Sequence, residues 1–141
     1  MREELIRRCH AIEECYEFML AYAAQGLPGD AGNQSSGELR EFLDRAIAAL
    51  SGLGDTAAAI VEREQLAPAD RYRAFLAVLN RDAEDALAAI RLVQAQPSIS
   101  SQLIDNLNAS IHVRALLTDL FLIDEILKRQ PVEAGPADLS H

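Results

Sequence analysis

VRALLTDLFLIDEIL, residues 113–127, carries ten apolar residues in fifteen, and at helical spacing they cover most of the circumference. A helix with one apolar stripe lies on a surface, whereas one that is apolar on several sides must be enclosed. With Arg114, Asp119, Asp124 and Glu125 inside it, the stretch is too short and too charged to span a bilayer, which takes about 20 mostly apolar residues. It therefore predicts a helix buried in a bundle or between bundles, and no membrane partner.

Working outward, the rest of the chain supplies the companions. Alanine, leucine and glutamate dominate, tryptophan is absent, and β-branched and aromatic residues are scarce, a balance that favours helix. Apolar residues recur with a 3,4 rhythm. The first stripe is Leu5, Cys9, Ile12, Tyr16, Met19 and Ala23, and the second Leu39, Leu43, Ala46, Leu50, Leu53, Ala57 and Ile60. The third is Tyr72, Leu76, Leu79, Ala83, Ala86, Ile90 and Val93. In the fourth the face runs Ile104, Leu107 and Ile111, then Val113, Leu116, Leu120, Ile123 and Leu127. Because the second stripe keeps its phase across Gly52 and Gly54, it predicts one helix with a weak middle; a break at 51–55 is the alternative.

The expected fold is all-α, an antiparallel up-down-up-down four-helix bundle with helices over 2–25, 37–65, 69–95 and 98–129. Ser98 is the expected N-cap of the last, and short connections at Pro68 and Pro97 make neighbours antiparallel. The 141 residues predict one domain over 1–130. Residues 131–141, with two prolines and a glycine, predict a flexible tail, and 26–37, GLPGDAGNQSSG, a flexible connection.

Charge and cysteines narrow the setting. A formal net charge of −9, with a single lysine, argues against nucleic acid, whose binding depends on Lys and Arg neutralising phosphates. A basic protein partner stays open. Cys9 and Cys15 on one helix would hold their Cα atoms about 9 Å apart, too far for a disulfide. With no apolar leader at the N-terminus, reduced thiols in a cytoplasmic protein are expected.

Groups that carry chemistry are sparse. His10, Glu14 and Glu17 stand about a turn apart, with Glu13 beside them, and are the candidate ligands for a divalent metal; the competing reading is a solvated charged face. The Glu-x-x-His pairs of a dinuclear bundle site are absent, since Arg7 and Ala109 stand three residues before His10 and His112. Asp105, His112 and Asp119 follow at seven-residue intervals, too far apart to share an ion. Met19 and His112 fall at one level in an antiparallel bundle and are the candidate ligand pocket. No nucleophile elbow, phosphate-binding loop or paired-cysteine motif occurs, so no catalytic residue is assigned.

Surplus apolar surface is the stronger functional signal. Beyond its core stripe the first helix has a second one, Cys15, Phe18 and Tyr22, and the last has Leu117, Phe121 and Leu122 off its main face. Four packed helices need one stripe each, so the excess predicts an interface. The expected function is protein–protein interaction, as an adaptor, assembly factor or regulatory subunit forming a homodimer. The alternative is a metal-binding bundle using the stripe on the first helix, with no other cofactor expected.

Overall fold

A computed structural model describes residues 2–31 and 34–130, and the side chains of all of these except 34–36. The predicted tail at 131–141 lies outside the described residues. The fold is all-α, 81% helical, with no strand among the described residues, and it has six helices where four were expected. They are α1 Arg2–Ala24, α2 Gln34–Leu50, α3 Leu53–Arg63, α4 Ala69–Gln94, α5 Ser101–Ala109 and α6 Ile111–Lys128.

The single helix predicted over 37–65 is two helices. Gly52 takes φ 85, a left-handed conformation that an L side chain adopts only with strain, and the chain restarts as α3 at Leu53. The end of α2 is closed from outside: Arg8 Nη1 donates to the carbonyls of Ala49 (2.9 Å) and Ser51 (2.7 Å). A cation there satisfies carbonyls that have no partner within the helix and suits the negative end of the helix dipole. Phase survived the break because Leu50 and Leu53 both face the same core. Gly54 is buried against α4, where a β-carbon would collide with the Asn80 amide.

The helix predicted over 98–129 is also two. Ser110 (φ −65, ψ 144) ends α5 and caps α6, its hydroxyl accepting from Val113 N at 3.4 Å. The shift from the Ile104, Leu107, Ile111 face to the Val113 face marks this break. Ile111, expected in the core, is 74% exposed because α6 starts there with a new phase. The N-cap is Ser100 rather than Ser98, accepting from Leu103 N at 3.0 Å.

Pairings across the molecule run in opposite senses. Phe18 stacks on Phe42, with ring centroids 4.6 Å apart, while Thr56 Oγ1 donates to Glu4 and Arg2 pairs with Glu64. Gln94 bonds Asp44, and Arg73 pairs with Glu62. Thus α1 packs on α2, α3 and α5, and α4 packs on α2, α3, α5 and α6. The core gathers Leu5, Ile12, Met19, Leu43, Ile60, Leu79, Ile104 and Leu116, all buried.

One end is locked by polar groups that no sequence pattern announced. The buried Asp30 carboxylate accepts from Arg40 Nε and from Ile99 N, each at 2.7 Å. Arg40 also donates to the carbonyls of Gln94 (2.9 Å) and Gln96 (3.0 Å), closing the end of α4. Tyr22 donates to Ile99 O at 2.7 Å, and Ser101 Oγ donates to Tyr22 O at 2.6 Å while accepting from Leu27 N at 2.8 Å. The stretch expected as a flexible connection from residue 26 is therefore anchored through Leu27 and Asp30; residues 32 and 33 lie outside the described residues.

Candidate functional site

The break at Ser110 sets up the site. Before it, α5 packs on α1; after it, α6 packs on α4 and α5, and its backbone leaves α1. Side chains alone fill the seam between the first half of α1 and the last half of α6. Leu5, Cys9, Ile123 and Leu127 make its floor, while Ile6, Arg2, Asp124 and Lys128 stand along the edges. Arg2, Ile6, Cys9 and Glu13 follow at 4,3,4 spacing and form one row of α1; Phe121, Asp124 and Lys128, at i, i+3 and i+7, form the facing row of α6.

Both cations along the seam are already answered. Arg2 grips Glu64 with two nitrogens (Nε–Oε2 2.9 Å, Nη2–Oε1 2.6 Å) and donates from Nη1 to Leu127 O at 2.9 Å, closing one end of the groove. Lys128 Nζ lies 3.1 Å from Asp124, which raises the lysine pKa. Glu13, Glu14 and Glu17 on the adjoining face of α1 have no ion pair among the described residues. The edge is therefore apolar and acidic together.

Size decides what fits. The seam encloses about 90 Å³, well below the ~300–1,000 Å³ of a small-molecule pocket and less than the ~150 Å³ cavity that admits benzene. That is room for one aliphatic side chain. Wider depressions beside Leu27 and Pro28, beside Ser101 and Asp105, and beside Val61 and Leu66 lie open to solvent. The Cys9 thiol at the floor is pushed up to about 12 by burial, then by the charges of Glu13 and Asp124, so it is no nucleophile.

Ile6, on the seam, is 47% exposed, and Phe121, farther along the α6 row of Asp124 and Lys128, is 58% exposed. Leu122, 48% exposed, sits on the outer side of α6. Of the six predicted interface residues, Phe121 and Leu122 are exposed, whereas Cys15, Tyr22 and Leu117 are buried within the chain and Phe18 is half-buried on Phe42. The correction has a simple cause. Because α1 lies between α2 and α5, it uses its second stripe internally, which buries Cys15 and Tyr22; Leu117 is buried on α6, which packs on α4 and α5. Ile6 was missed because it stands off the core stripe, although its row with Arg2, Cys9 and Glu13 was there to be read.

The other expected sites do not assemble. His10, Glu14 and Glu17 are exposed, and among the described residues no three His, Cys, Asp or Glu side chains gather closely enough to hold a metal ion. Met19 is buried and His112 exposed, and neither lines any of the cavities above. No helix of the described residues is long and apolar enough to cross a membrane.

A second electrostatic feature lies between α4 and α6. Asp119, buried, meets Asp82; burial first, then that carboxyl, pushes the Asp119 pKa up to about 7, and its Oδ2 has no hydrogen-bond partner among the described residues. Two carboxyl groups this close share a proton more readily than they ionise together. The buried Asn108 amide on α5 likewise lacks a partner at both its oxygen and its nitrogen.

Comparison with protein-family models, with curated proteins and with solved structures found no match.

Proposed function

We propose that this chain is an interaction protein, an adaptor, assembly factor or regulatory subunit, that binds through the face where α1 and α6 diverge. The six helices then act as an up-down-up-down bundle of four antiparallel rods, the second broken at Gly52 and the fourth at Ser110. The observation that carries the reading is the apolar groove of side-chain size, with Ile6 exposed on its α1 wall and Phe121 exposed farther along α6, in the row of Asp124 and Lys128. A solvent-facing Ile beside an apolar floor, with an exposed Phe on the neighbouring row of α6, marks a surface that gains by being covered, as interface anchors do. Chemistry would require convergent polar groups in an enclosed space, and the groove holds a thiol too basic to react and two cations already paired.

Two substitutions test the proposal. Ile6→Glu with Phe121→Glu should abolish association, read as sedimentation of the chain alone at micromolar concentration, as for a homodimer, and as co-purification of a partner. Leu92→Glu, at a side chain 66% exposed on α4, should leave it intact. A monomer with no partner whose recovery depends on Ile6 or Phe121 would refute the proposal.

A further inference from the structure

Resting on the reading of the α1–α6 face as an interaction surface, we infer that its occupant is a basic amphipathic helix of another protein, which sets one aliphatic side chain over Cys9 and its lysines or arginines against Glu13 and Glu17. The argument is charge complementarity added to shape. All 13 lysines and arginines lie among the described residues, and the two beside the groove are neutralised by Glu64 and Asp124. Glu13 and Glu17 share the side of α1 that Ile6 occupies, at i+7 and i+11; neither has an ion pair among the described residues, although Glu13 adds to the negative field that raises the Lys128 pKa. On α6, Glu125 stands one turn beyond Phe121 and is matched by Arg129 at 3.1 Å. The unpaired Arg114 lies two turns upstream of Phe121, away from the cavity. The face is thus apolar at its centre and negative along its α1 rim.

That pattern selects among occupants. A second copy carries the same −9, and isologous pairing of this face would bring the Glu13 and Glu17 rims of both copies into one interface whose cations, Arg2 and Lys128, are already paired, which disfavours the match. A small molecule is disfavoured, because about 90 Å³ falls well short of the ~300–1,000 Å³ that buries a drug-sized ligand. A helix laid along the seam meets both demands, because its i, i+3, i+4 and i+7 side chains face the groove while flanking bases reach the rim.

The probe is a synthetic helical peptide with leucine at i, i+3, i+4 and i+7 and lysine on the flanks, compared with an isomer carrying glutamate in place of lysine. Each is titrated into the full chain, with affinity read by fluorescence anisotropy and location by NMR. The lysine peptide should shift the resonances of Ile6, Cys9 and Leu127 and weaken severalfold between about 50 and 300 mM salt. Ile6→Ser, and Glu13→Lys with Glu17→Lys, should each weaken it by about tenfold or more. Asp85→Lys with Glu41→Lys, at exposed acids elsewhere, should not. Equal binding of the glutamate peptide, or shifts confined to another face, overturns the inference. Concentration-dependent broadening at Ile6 and Leu127 in the chain alone means a second copy is the occupant, which overturns the basic partner but keeps the interaction surface. A monomer whose Ile6 and Leu127 respond to neither peptide overturns both.

Discussion

Replacing Asp30 by alanine is the sharpest test of how the ends of these helices are held. The carboxylate is buried and takes two short hydrogen bonds, from Arg40 Nε and Ile99 N, both 2.7 Å. Removing it leaves the Ile99 amide without its partner in a residue that is fully buried, at a cost of about 1–3 kcal/mol. Arg40 is 35% exposed and keeps its bonds to Gln94 O and Gln96 O, so the loss of its charge partner adds no more than ~1 kcal/mol. The expected destabilisation is about 1–4 kcal/mol, a Tm lower by on the order of 10 °C for a domain of this size. Urea unfolding followed by circular dichroism measures it. Asp30→Asn, which retains an acceptor for Ile99, should lose about half as much. The sign of the pH dependence follows from the carboxyl itself. Arg40 first, then the Ile99 amide, holds its pKa below the usual value against the opposing effect of burial. Its contribution is therefore full above the unfolded pKa of about 3.9 and is lost as pH falls through the folded one. The gap between wild type and Asp30→Ala should shrink on acidification. A gap under ~0.5 kcal/mol near pH 7, or one that widens in acid, would refute the reasoning.

Three other outcomes follow from single residues. Gln65, at φ 52, ends α3 with Leu66 N bonded to Val61 O and Gln65 N to Glu62 O, so Gln65→Gly should relieve left-handed strain and stabilise by ~0.5–1 kcal/mol in the same unfolding assay. The raised pKa of Asp119 has the opposite consequence to Asp30: the folded state holds the proton more tightly, so stability falls as pH rises from about 4 through about 7. Asp119→Asn should flatten that slope and stabilise by ~1–3 kcal/mol near pH 8, and a pH profile parallel to wild type would count against the shared proton. Cys9 and Cys15 are buried, and burial first of all pushes both thiols up to about 12, so a disulfide-exchange reagent near pH 8 should label neither in the native chain and both in guanidinium.

Helix content and the core were legible because they depend on spacing. Leu5, Cys9, Ile12 and Met19 on α1, and Leu76, Leu79, Ala83, Ala86, Ile90 and Val93 on α4, are buried where their rhythm places them. The two breaks were not, for different reasons. At Gly52 the core side of the chain does not change, so the phase of Leu50 and Leu53 carries no sign of the interruption; only the paired glycines do. At Ser110 the phase does slip, but a continuous helix that turns its face also produces a slip, and a serine inside helical sequence signals a cap only when the next turn restarts. Asp30, Arg40 and Ser101 were illegible altogether, because each satisfies backbone groups more than 50 residues away and no local pattern encodes such a partner. The candidate site was half visible. An apolar excess on the last helix was read from 113–127, but which residues keep it in solvent depended on α1 lying between two neighbours, a fact of packing.

The groove and the break at Ser110 have one cause. A single continuous rod would have kept α6 on the line of α5, which packs on α1. Ser110 instead supplies an extended residue that caps α6 and redirects it onto α4, where Leu116, Leu120 and Ile123 remain buried. The turn therefore costs α6 little of its burial and shifts the loss to the α1 side. There the remaining closure is a single arginine: Arg2, held to Glu64, reaches Leu127 O with its third nitrogen. Apolar surface left open along one seam, at an end fastened by an ion pair, suits the docking role proposed for it, since a groove end already held by Arg2 and Glu64 leaves less ordering to oppose binding.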